Sequence, residues 1–163
     1  MEIKKSQLKS KVRNFFTQKV RNIKENKRQQ YIIETEGKIL YSAIVLDEES
    51  RNKLLDLMRF WVDVPNEWRR LAHHMTISFK EELPNQLKKD LGEDITLKIN
   101  SIGISDDAIA VGVDGYPSKN NTPHITVAIP PDGKPANSNF IEDWIDVDEE
   151  ILLRGKVSEV RSK

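Results

Sequence analysis

The chain has 163 residues, 37% apolar and 32% charged, which suits one domain with a buried core. It contains no cysteine, which excludes disulfides, thiolate catalysis and zinc-ribbon ligand sets. No run of about 18 apolar residues exists to span a membrane and no hydrophobic secretory signal opens the chain, so a cytoplasmic location is expected.

The net charge is zero, but the charges are segregated. Residues 1–30 hold ten Lys or Arg and two acids, a net +8 that leaves −8 for the rest. Within this basic end Leu8, Val12, Phe15, Phe16, Val20 and Ile23 recur at helical steps, and neither Pro nor Gly occurs before Gly37. The pattern predicts an amphipathic helix over 3–30, hence a basic helical arm (1–37) ahead of a domain (38–163). Three roles suit such an arm. It packs on its own domain, contacts RNA or another polyanion, or lies on a membrane surface.

From Lys38 the pattern changes. KILYSAIVL (38–46) reads as a strand, and residues 47–61 as a helix with Asp47 at its N-cap. RLAHHMTISF (70–79) reads as one strand and ELPNQLKKDLG (82–92) as a short helix. Two strands follow, 94–105 and 108–115, joined by a turn at Asp106 and Asp107. YPSKNNT (116–122) is a polar loop leading into the strand PHITVAIP (123–130). Asn139 with Glu142 three residues on suggests a capped helix for FIEDWI, and the last strand lies within 149–161. Adjacent strands mixed with helices indicate an α+β fold.

One spelling occurs twice. HHMTISF (73–79) and PHITVAI (123–129) each carry H-x-T, in a chain with three histidines. Side chains alternate along a strand, so His74 and Thr76 share one face, as do His124 and Thr126. His73, on a regular strand, then faces away and is structural. Paired imidazoles suit acid and base work near neutral pH. Hydroxyls beside them can donate to the non-bridging oxygens of a phosphate. A metal site built from His73, His74, His124 and nearby acids has no ligand spacing behind it, so neither metal nor cofactor is expected. Of the aromatic residues able to stack on a base, Tyr116 is best placed, because its loop leads into the second motif. Lys119 in that loop is positioned to meet a phosphate. Ser138 and Asn139 suit either a cleft rim or helix capping. Trp61 and Trp144 read as apolar faces of helices.

Over about residues 38–160 the doubled H-x-T resembles the 2H phosphoesterase superfamily. The segment TPHITVAIPPDGKPANSN is most similar to its RNA-repair branch, which includes the cyclic phosphodiesterase domains of tRNA ligases. The resemblance implies two pseudo-symmetric lobes with antiparallel sheets around a central cleft. It also implies a catalytic quartet of His74, Thr76, His124 and Thr126. The implied activity is hydrolysis of 2′,3′-cyclic phosphate ends of RNA or nucleotides, without a metal. Cleavage of 3′–5′ linkages, in RNA or cyclic oligonucleotide signals, and phosphate or RNA binding without turnover are the alternatives. Fifty residues between the motifs is short for many members and implies trimmed elements between them.

Overall fold

A computed structural model describes residues 37–162. The helix expected over 3–30 lies outside these residues. The strands are β1 (Ile39–Leu46), β2 (Arg69–Arg70), β3 (His74–Phe79), β4 (Asp94–Ile104), β5 (Ile109–Asp114), β6 (His124–Ile129), β7 (Trp144–Asp146) and β8 (Leu152–Arg161). Among the described residues the one α-helix, α1, spans Glu48–Trp61.

The α+β expectation holds, but the strands form one sheet in place of the two expected from paired lobes. All pairings are antiparallel. The order β6–β3–β1–β8–β4–β5 returns to β6, closing a barrel, with β2 and β7 added at β6 and β4. The joining elements are long. β8 pairs with β1 along one side and β4 along the other, so no gap separates the halves. Alternation then fills the interior. Ile44, Met75, Ile77, Leu97, Ile125 and Leu153 are fully buried, each worth roughly 1.5–3 kcal/mol of transfer free energy.

Helix α1 starts as its sequence predicts. The Asp47 carboxylate accepts the Ser50 N–H at 2.7 Å, and Glu48 and Glu49 occupy the first turn, where the helix dipole favours acids. Leu54 and Met58 enter the core cluster. Arg51 reaches back to the sheet. Its Nε donates to the Leu71 carbonyl at 2.8 Å and its Nη2 to that of Arg70 at 3.4 Å.

Those two bonds brace the place where the expected strand 70–79 is broken. Arg70 lies opposite Ala128, and Met75 opposite Ile125. Five residues are spent against three on β6, so two are extra. Ala72 sits at φ +48°, in the left-handed region, and the chain bulges there.

Two expected helices are also shorter. Residues 82–92 form only a 3-10 turn over Asn85–Asp90, and FIEDWI is not helical. A 3-10 turn begins earlier, at Pro135, and ends at Phe140. Trp144 instead opens β7 and pairs with Gly103. A six-residue segment such as FIEDWI gains too little from helix propagation to resist the pairing of Trp144 and Ile145 with β4.

Candidate active site

The two H-x-T strands are neighbours in the barrel. The printed register is a single pair, Met75 opposite Ile125, with both side chains buried inside. One step to either side, alternation turns His74 and Thr76 of β3 and His124 and Thr126 of β6 to the outer face. The charge of His124 acts on His74, so the two imidazoles lie within electrostatic reach of each other.

Beyond that pair β3 and β6 separate, and the loop before β6 fills the gap. Ser118 Oγ donates to the Thr76 carbonyl at 2.7 Å, and the Lys119 N–H to the Ile77 carbonyl at 2.9 Å. A cavity of about 250 Å³ opens here, lined by Lys119, Asn120, His124, Ser138, Asn139 and Trp144 among others.

His124 is 8% exposed. Its Nδ1 lies 2.7 Å from the Thr122 carbonyl, which can only accept, so Nδ1 carries the proton and Nε2 is left for chemistry. Burial lowers its pKa, and the bond to Thr122 opposes that shift. The Trp144 ring stands 6.3 Å away, tilted by 47°. Trp144 lies so close over Gly103 that a Cβ there would come within 2.6 Å of the indole. Gly112 lies opposite His124 in register, and the space a Cβ there would need is taken by Ser101 and Asn100. Thr126 Oγ1 is 2.8 Å from Ser138 Oγ, and Ser138 is itself buried.

His74 is held differently. Tyr41 of β1 stacks on its ring at 4.3 Å and 15°. Its Nδ1 lies 2.9 Å from His73 Nδ1. Burial, followed by the charges of His73 and His124, lowers its pKa to about 4. Thr76 makes no side-chain hydrogen bond among the described residues.

His73 therefore does not face away from the motif. Facing away requires a regular strand, and the bulge at Ala72 removes that premise. Tyr116 is placed elsewhere. It packs on the main core, and its hydroxyl donates to Asp90 at 2.7 Å. Lys119 does reach the cavity wall, where it pairs with Glu81 at 2.7 Å. That pair is exposed and holds Lys119 weakly. Trp144, read from sequence as a helical core residue, is a wall of the cavity. Ser138 and Asn139 line it too, without the capping role that was the other reading. No cluster of three or more His, Cys, Asp or Glu side chains suited to a metal occurs among the described residues. No helix among them is long and apolar enough to cross a membrane.

No protein-family model matches the chain, and no curated protein matches it. Among solved structures, it is similar to one described as a fungal RNA kinase, with a TM-score of 0.54 and 13% identity. The match covers 98% of this chain and 57% of that one, so the chain spans little more than half its neighbour's length. At that identity the likeness shows the fold.

Proposed function

We propose that this chain is a phosphodiesterase of the 2H type, that it works without a metal, and that it hydrolyses 2′,3′-cyclic phosphate ends of RNA or nucleotides. The observation that supports the reading is the pairing of β3 with β6, which makes the two H-x-T strands neighbours, with His124 lining a polar cavity. The reading takes residues 38–163 as the catalytic domain and residues 1–37 as an arm suited to a polyanionic substrate. The neighbour's description as an RNA kinase favours RNA over other phosphodiesters.

In this mechanism the phosphate sits between the imidazoles. His74, neutral at pH 7, takes a proton at Nε2 from the attacking water. Oxygen bonds to phosphorus and one ester bond of the ring breaks. His124 gives its Nε2 proton to the departing ribose oxygen, and a phosphomonoester remains. The anionic phosphate raises both imidazole pKa values toward working pH. Thr76 and Thr126 donate to the non-bridging oxygens as charge grows there. Ser138 Oγ at 2.8 Å and the Pro135 carbonyl at 3.4 Å hold the Thr126 hydroxyl in place. The cavity beside His124 takes the adjoining ribose and base, with the Trp144 ring as a stacking wall.

The test is turnover of a 2′,3′-cyclic nucleotide and of an RNA oligomer with that end, in EDTA, by wild type, His74→Ala and His124→Ala. EDTA-resistant hydrolysis lost in both variants is the expected result. Turnover abolished by EDTA overturns the metal-free mechanism. Hydrolysis confined to 3′–5′ linkages keeps the quartet but moves the substrate. Binding of the oligomer without turnover of any of these esters leaves a phosphate-binding module.

A further inference from the structure

Each motif histidine has a partner at Nδ1, and the two partners differ. His124 meets the carbonyl of Thr122. His74 meets the imidazole of His73, at 2.9 Å, through Nδ1 on both rings. A contact of that length between two ring nitrogens needs one proton, given by one ring and accepted by the other. If the pair follows the pattern at His124, His74 donates and His73 accepts.

We propose that His73 is a positioning residue. Its Nδ1 lone pair accepts the Nδ1 proton of His74, fixing the tautomer that leaves His74 Nε2 free to take a proton. The contact is built by the backbone. The two extra residues and the positive φ of Ala72 bring consecutive side chains together that a regular strand would send apart. Arg51 locks that bulge through the Arg70 and Leu71 carbonyls, and the Leu46 N–H donates to the carbonyl of His73 at 2.9 Å.

An imidazole differs from a carbonyl in one respect: it can be protonated. Once His73 carries protons on both nitrogens it can no longer accept, and it repels a charged His74. The other titratable groups acting on the pair are Arg51 from α1, Tyr41 stacked from β1 and His124 from β6. Partial burial, then the Arg51 charge, lowers the His73 pKa, which favours the neutral, accepting form. The first motif thus has a titratable support where the second has a fixed one.

The test compares His73→Asn, whose amide oxygen can accept in place of Nδ1, with His73→Ala. Nitrogen-15 NMR of the full chain should find His74 protonated at Nδ1 near pH 7. In His73→Asn the His74 titration should move upward, because a repelling charge is gone and an acceptor remains. His74 protonated at Nε2, or a titration that His73→Asn leaves in place, overturns the proposal. This arm does not depend on turnover. The activity arm rests on the phosphodiesterase reading. There His73→Ala should lower kcat roughly 10- to 100-fold, the range for groups that orient a histidine. His73→Asn should restore it with the acid limb of kcat/KM displaced to higher pH. Equal loss in both variants with an unmoved limb would mean a structural role only.

Discussion

The two halves of the site are spelled alike and built differently. At β6 the environment is fixed before any ligand arrives: His124 is buried on a carbonyl, Thr126 is tied to Ser138, and Trp144 walls a cavity. At β3 the imidazole is stacked on Tyr41, its Nδ1 meets a second imidazole, and Thr76 has no side-chain hydrogen bond among the described residues. A short motif states which groups are present. The segments around it decide which are rigid and which respond to protons. The β6 half suits binding and orientation, and the β3 half suits taking a proton.

The strongest break of the comparison is removal of either imidazole. His74→Ala and His124→Ala should each lower kcat by about 10²- to 10⁴-fold, but with different second effects. Binding of a non-hydrolysed nucleotide, measured by calorimetry, should weaken more for His124→Ala, whose side chain lines the cavity.

Next comes the acid response. His74 has a folded pKa of about 4 against an ordinary 6.5. Between those values the unfolded chain binds a proton that the folded chain does not. Stability is therefore full above pH 6.5 and falls as pH drops toward 4, by on the order of 3 kcal/mol. Urea melts across that window should reveal the slope, and His74→Gln should reduce it, leaving the part that His73 and His124 contribute.

The hydroxyls sharpen the contrast. Thr126→Val and Thr76→Val should each cost about 10- to 100-fold in kcat. Ser138→Ala should reproduce part of the first loss and, in a double-mutant cycle, couple to Thr126 but not to Thr76.

A smaller effect is expected at Gly103. Gly103→Ala puts a Cβ against the Trp144 ring, which must shift. KM should rise severalfold with kcat nearly kept, and tryptophan fluorescence should change. The smallest belongs to Lys119→Ala. Stability should move by less than about 1 kcal/mol, since the Glu81 pair is exposed, while the salt dependence of substrate binding weakens.

Much of this was legible in the sequence. Both motifs lie on short strands, and the buried Met75–Ile125 pair is what alternation along H-x-T requires. The N-cap at Asp47 was local chemistry and was found. What was missed depended on distant partners. The bulge that redirects His73 is braced by Arg51 from another element. Trp144 looked helical because its neighbours fit a capping pattern, and only β4, with Gly103 beneath the ring, makes it a strand residue. Tyr116 suits stacking by the position of its loop, yet its hydroxyl is claimed by Asp90, 26 residues away. Closure into one sheet was not visible either, since which strands pair across long separations is not written in any one of them.

The loop 116–122 has a second consequence. Where β3 parts from β6 it leaves a strand edge with backbone groups unmatched by any neighbouring strand. Such edges invite chains to pair with one another and aggregate. Ser118 and the Lys119 N–H occupy the carbonyls of Thr76 and Ile77 at that edge. The segment that rims the cavity therefore also covers that edge, and changes made there are expected to lower solubility.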